Sequence, residues 1–359
     1  MKRRVILLVS ILFILLPAVL SSLTLEQGRL KLILHEESGR FSLYYLEDIE
    51  EEEYVSLLFQ RDPRTSSTGI LLNNRTITLG SSNTFSQKTR KTSQGAQFSW
   101  TSPQLEIRQT FQFVKSSSTG LADGVKIDTI VINKSEEIQS VGVHYLFDTY
   151  HGEQQDAHFI TSDNEKLESE TGFSLQPPTY WVSPTAGGEG KFQGSVSMLK
   201  GSGITLPDKV VFANWKRLSE NLWNMQVQGN RNFNLLPYSI NDSAVCQFYD
   251  PIKLAPGARR TVTAVVGAYT GRPLIVDTTA AARTGGDNLD QMLSSTSSND
   301  SGKSTQQLVR EDLISVNDII SNINSLLSFP EDITDEKIEV IEKSLNNLRE
   351  KQSQYQNSD

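Results

Sequence analysis

Three of the four histidines, His144, His151 and His158, recur at seven-residue intervals, with Asp148, Glu153 and Asp156 between them. Imidazole and carboxylate together are the usual ligands of zinc or iron, and the same pair moves protons near neutral pH. The run 141–148 has the strand period, which sets Val141, Val143, Tyr145 and Phe147 on one face and His144, Leu146 and Asp148 on the other. His144 and Asp148 are then about 13 Å apart at roughly 3.3 Å per residue, too far to share a metal on an extended strand. No metal site is expected, and His151 and His158 read as residues of the polar loop that follows.

A second set of polar groups comes from alternating strands. In 105–113, Leu105, Ile107, Phe111 and Phe113 share one face and Glu106, Arg108, Thr110 and Gln112 the other. With Lys126 or Asp128 on the next strand and His144 and Asp148 on a third, these side chains would line the concave side of a curved sheet. Such a face holds a sugar by charged and amide hydrogen bonds, with Tyr180 or Trp181 of the nearby Pro-rich stretch stacking on it. The candidate ligand-binding residues are Arg108, Asp128, His144, Asp148 and Trp181; none is assigned a catalytic role. The plain alternative is a solvated outer sheet face, which is normal for antiparallel sheets.

Other chemistries lack their residues. The chain has no Ser-His-Asp elbow, no phosphate-binding glycine loop and no cysteine-based metal spacing, so no cofactor is expected. Cys246 is the single cysteine and sits in the apolar run 244–248, where it reads as a buried thiol. Acids fill six of the seven positions 47–53, without the spaced pattern of a calcium loop, and they read as a solvated turn. The net charge of −8 argues against a nucleic-acid partner, because phosphate binding needs a basic surface.

The elements that must position these residues are short apolar runs. They recur from 30 to 269, broken every eight to fifteen residues by Gly, Asn, Asp, Ser or Pro, and they predict a mainly β, antiparallel sandwich. Strands are expected at 30–34, 41–46, 54–59, 70–72, 76–79, 192–199, 210–215, 223–227, 245–249 and 260–268. The runs 105–113, 125–133 and 141–148 should form a three-strand meander. Asn73-Asn74 suits the tight turn of a hairpin between 70–72 and 76–79.

Both ends differ from this body. Residues 1–22 pair a basic start, Lys2, Arg3 and Arg4, with the apolar run 5–16 and small residues up to Ser22, the form of a cleavable signal segment. Twelve apolar residues are short of the roughly 20 that span a bilayer, so the membrane is met only if this segment stays uncleaved. Residues 281–304 are polar enough for a flexible linker. In 305–355, Leu313, Val316, Ile320, Ile323 and Leu327, then Ile338, Ile341, Leu345 and Leu348, mark the stripes of two helices, expected to pair as a C-terminal hairpin. Residues 304–359 carry eleven acids and five bases, a net of −6.

The segment from 144 to 269 also has a familiar wording. Asp148-Thr149-Tyr150-His151-Gly152 and Val210-Val211-Phe212-Ala213-Asn214-Trp215 are its more particular pieces; Leu254-Ala255-Pro256-Gly257 is common to many sandwiches. It resembles a loose group of exported bacterial proteins whose bodies look like the galactose-mutarotase-type β-sandwich, which implies that fold over roughly a third of the chain. Sugar-converting members of that fold use histidines with an acid, and no stretch here matches their motif. The tail and layout are also similar to those of periplasmic proteins of spirochaetes. Taken together, the expectation is a non-enzymatic envelope protein, periplasmic or secreted, whose sandwich recognises a protein partner or ligand and whose tail serves assembly or oligomerisation. The competing expectation is a carbohydrate-binding or carbohydrate-converting protein that uses the polar sheet face.

Overall fold

Alternating apolar residues bury one face of a strand, so strands of this kind must find a second layer. The computed structural model describes residues 22–274, except 49–51, 116–120, 175, 188–190 and 235–241, together with Glu342, Asn346 and Arg349. The body within 23–280 is mainly β and antiparallel. The expected signal segment, apart from Ser22, the expected linker and the expected helical hairpin lie outside the described residues, save those last three, which are helical and exposed.

The first sheet runs in chain order: β1 (Ser22–Gln27), β2 (Leu30–His35), β3 (Arg40–Asp48) and β4 (Glu53–Ser56). The six-stranded sheet is ordered β14 (Thr171–Phe173), β17 (Lys209–Ala213), β18 (Ser243–Leu254), β11 (Gln139–Thr149), β5 (Ser67–Leu72), β6 (Arg75–Thr78). The nine-stranded sheet is ordered β13 (Lys166–Leu167), β12 (Phe159–Thr161), β15 (Tyr180–Pro184), β16 (Gly194–Met198), β19 (Arg259–Tyr269), β10 (Ala122–Asn133), β9 (Leu105–Lys115), β8 (Gly95–Thr101), β7 (Ser86–Thr92). The β5–β6 hairpin turns at Asn73 and Asn74, whose φ values of 48° and 69° are the left-handed pair that the sequence anticipates.

One apolar cluster joins the three sheets. Ile107 and Phe111 of β9, Val125 and Ile127 of β10, and Val141, Val143, Tyr145 and Phe147 of β11 are all buried in it, while Phe113 is only partly buried against it. Phe41 of β3 packs on Phe111 at 5.0 Å between ring centroids, and Phe147 of β11 on Trp181 of β15 at 6.4 Å. Both smaller sheets therefore meet the inner face of the large one.

The expected meander is not formed. β10 lies between β9 and β19, and the chain crosses after Asn133 into the facing sheet, where β11 pairs with β18 and β5. Asn133 turns this corner, donating from Nδ2 to the carbonyls of Glu137 and Leu254 at 2.7 and 2.9 Å. Alternation is satisfied equally by two strands side by side and by two strands facing each other across the core, so the pattern alone does not choose.

A buried polar network ties the two large sheets. Gln109 Nε2 donates to the hydroxyls of Thr68 (2.8 Å) and Thr129 (3.1 Å), and the Tyr145 hydroxyl donates to Thr129 (2.7 Å). These residues are at most 5% exposed, so losing a partner there strands a desolvated group. Gln109→Leu is expected to destabilise the protein by about 1–3 kcal/mol in urea unfolding. Adding Tyr145→Phe should cost less than it does alone, because both bonds converge on Thr129. An unchanged midpoint would show that the network bears no stability.

The back of the six-stranded sheet is covered rather than solvated. Asn214 caps a seven-residue helix, α1 (Trp215–Asn221), by accepting from the Lys216 and Arg217 amides at 3.1 and 3.3 Å. α1 and the 3-10 turn after it (Leu222–Asn224) close a second cluster over the sheet, which includes Leu146, Leu218, Met225, Cys246 and Phe248. The strand expected at 223–227 is not formed: 223–224 end the 3-10 turn and 225–227 have no regular structure. Cys246 is fully buried in this cluster, and desolvation pushes its thiol up.

Candidate functional site

Outward-pointing residues of β7 to β10 and β19 stand in register and form rows across the nine-stranded sheet. One row runs Arg90, Gln97, Thr110, Asp128, Thr263; the next runs Lys88, Ser99, Arg108, Ile130, Thr261. In the first row Arg90 Nε donates to Gln97 Oε1 (2.9 Å) and Gln97 Nε2 to Thr110 Oγ1 (2.9 Å). Farther along, Thr263 Oγ1 donates to Asp128 Oδ1 (2.6 Å), and Lys126 holds Asp128 Oδ2 at 3.0 Å. Arg108 pairs with Glu106 on its own strand at 2.6 Å.

This arrangement is a fixed set of donors and acceptors. Its two carboxylates, Glu106 and Asp128, are each engaged by a cation. The Arg108 side chain is 46% exposed and that of Asp128 19%, so both reach solvent from a face whose neutral amides and hydroxyls are already oriented by one another.

The five residues singled out from the sequence do not meet. Arg108 and Asp128 share this outer face, one strand and one row apart. His144 and Asp148 belong to the other sheet and face its covered back. Trp181 is on β15, and alternation turns it into the main core at 0% exposure, against Phe147, Phe159 and Phe212. It is no stacking platform; Tyr180, its neighbour on β15, is the partly exposed ring, 6.2 Å from Tyr269.

His144 is opposite Gly69 on β5 and Phe248 on β18, beneath the edge of Trp223 at 5.6 Å between centroids. Neither ring nitrogen has a hydrogen-bond partner, and burial alone pulls its pKa down to about 4. Asp148 is 4% exposed; burial pushes its carboxyl up to about 8 despite a hydrogen bond with Thr65. Glu153, in the 3-10 turn His151–Gln154, accepts from the Ser243 amide at 2.9 Å and is also pushed up to about 8, chiefly by burial and then by Asp242 and Asp148. His151 Nε2 lies 2.8 Å from the Ser56 carbonyl, and His158 packs on Phe233 at 4.4 Å; burial lowers both to about 4. The three histidines thus serve three different places. Among the described residues no group of three or more histidines, cysteines or acids is placed to hold a metal ion.

No family model and no curated relative matches this sequence. Several of the solved structures that the chain resembles are described as galactose-mutarotase-like proteins. They include a galactose mutarotase related enzyme from Lactobacillus acidophilus, at 12% identity and a TM-score of 0.38, covering 72% of this chain and 100% of that one. A galactose mutarotase-like protein from Lactobacillus casei gives 11%, 0.35, 69% and 100% by the same measures. A putative aldose 1-epimerase from Escherichia coli K12 gives 12%, 0.34, 69% and 99%. Likeness at this level assigns neither family nor activity, and the functional reading rests on the geometry of the face itself.

Lys88, Arg90, Gln97 and Ser99 complete the face and were not anticipated. β7 reads Ser-Gln-Lys-Thr-Arg-Lys-Thr, with no apolar residue to reveal a strand. The available signal was alternation in β8, where Ala96, Phe98 and Trp100 face inward and Gln97 and Ser99 outward, followed back across Lys91-Thr92-Ser93-Gln94-Gly95 to a paired edge strand.

Proposed function

We propose that this chain is an exported recognition domain that binds a carbohydrate on the outer face of its nine-stranded sheet, with the acidic tail serving assembly in the cell envelope. One observation carries the reading: polar side chains stand in register across five adjacent strands and are held by one another's hydrogen bonds. A hydroxyl-rich ligand needs many donors and acceptors at fixed positions, and side chains already ordered in the free protein lose little entropy on binding. The reading of export rests on the basic and apolar segment within 1–22, whose twelve apolar residues are short of a bilayer span and so support release into the periplasm or the medium. The face binds rather than converts, because its acids are ion-paired and not paired with each other across a reacting bond.

Calorimetry of the mature chain against a panel of soluble glycans tests this. Arg108→Ala and Asp128→Asn are each expected to weaken the bound glycan roughly tenfold, the worth of one hydrogen bond to a charged group. Asp148→Asn, on the opposite sheet, should leave affinity unchanged. Equal affinity in all three variants removes the sheet face from the reading, and a loss confined to Asp148→Asn transfers the site to the other sheet.

A further inference from the structure

The charges on this face do not balance. Four cations, Lys88, Arg90, Arg108 and Lys126, point outward from β7, β9 and β10, against two acids, Glu106 and Asp128. Both acids are already engaged, by Arg108 at 2.6 Å and by Lys126 at 3.0 Å. Lys88 and Arg90 are exposed, and among the described residues neither has an ion pair; Arg90 meets only the amide oxygen of Gln97. An excess of positive charge on one face of a chain with a net charge of −8 is a local feature, not a consequence of composition.

We infer that the ligand of this face is an anionic glycan, a polysaccharide bearing carboxylate or sulfate groups. The inference rests on the carbohydrate-binding reading and names its substrate class. Neighbouring strands lie about 4.8 Å apart and same-face residues about 6.6 Å apart along a strand, so Lys88 and Arg90 form a cationic edge beside the neutral Ser99, Gln97 and Thr110. Acidic groups of a chain crossing the strands meet the cations at the edge, and its hydroxyls meet the partly exposed hydroxyls of Ser99 and Thr110 behind them. A protein partner is less well matched: the exposed large apolar residues Ile138, Leu206, Val227 and Ile252 all lie off β7 to β10, and the apolar residues on the face itself, Ile130 and Ile132, are only partly exposed and stand beside the charged Arg108 and Glu106. Cationic side chains at a rim act through charge, and their contribution is screened by salt.

Binding of the full mature chain to polygalacturonate, to uncharged dextran and to poly-glutamate, at low and high salt, decides the matter. The expected result is binding to polygalacturonate alone, reduced at high salt and weakened roughly tenfold in the double variant Lys88→Gln/Arg90→Gln. That variant alters only exposed side chains, and an unchanged urea midpoint confirms its fold. Equal binding of dextran, insensitive to the double variant, overturns the anionic class while leaving a carbohydrate site. Equal binding of poly-glutamate assigns the face to acidic peptides and overturns the inference. Failure to bind any of the three probes, with other neutral glycans bound, also overturns it. If no glycan is bound, the carbohydrate reading falls with it.

Discussion

Gly69→Ala is expected to destabilise the protein by about 3 kcal/mol, the upper end of the usual cost of overpacking. A methyl group there would lie 2.1 Å from His144 Cε1 and 2.5 Å from Nε2. The ring has no direction of retreat, because Phe248 is its neighbour on the other strand and Trp223 closes it from above. His144→Ala in the Gly69→Ala background should recover most of the loss, since it removes the clashing ring together with two buried nitrogens that have no partner. Urea unfolding of the two single variants and the double variant gives the coupling directly. Additive effects, or a tolerated Gly69→Ala, would falsify the described seating of His144 against the β5 backbone.

Stability should be greatest near pH 6.5 and fall on both sides. On the acid side, His144, His151 and His158 have pKa values lowered to about 4 from 6.5, so the unfolded chain binds more protons between those values. Their contribution is complete above 6.5 and is lost as pH falls through 4. On the alkaline side, Asp148 and Glu153 are raised to about 8 from 3.8 and 4.5, so the native protein holds the extra protons. That contribution is complete below the ordinary carboxylate range and is lost as pH rises through 8. Between pH 4.5 and 6.5 the three histidines outweigh the two acids and stability rises; above 6.5 only the acids act and it falls.

Glu153 is partly buried and solvent screens its share, so the alkaline loss is about 2 kcal/mol rather than the full value for two protons. Chemical denaturation from pH 4 to 9 checks the profile. The double variant Asp148→Asn/Glu153→Gln should have a flat alkaline limb. A wild-type protein whose stability is constant from pH 6.5 to 8.5 would sink this account of the corner.

Much of the strand content was legible because the strand period is written residue by residue. The inward residues Leu105, Ile107 and Phe111 of β9 and Val141, Val143, Tyr145 and Phe147 of β11, the Asn73-Asn74 turn and the buried Cys246 all follow from local pattern. Arg108 and Asp128 were legible for the same reason, as outward residues of strongly alternating strands. Lys88 and Arg90 were not, since an edge strand without apolar residues carries no period to detect. α1 left a faint mark, Trp215, Leu218 and Leu222 at helical spacing behind the Asn214 cap, too short for a window of eleven or more residues to register.

Taken alone, the sequence determined which side of each strong strand is apolar, where the chain turns, and that its charge is concentrated in the tail. The tertiary structure alone decided which strands face one another and what covers each outer face. That is why His144 and Asp148 left the expected site for a covered back, why Trp181 entered the core, and why β7 and β8 joined Arg108 and Asp128. Alternation is a property of one strand's backbone geometry, whereas sheet membership and the covering of a face are set by burial between residues far apart in the chain.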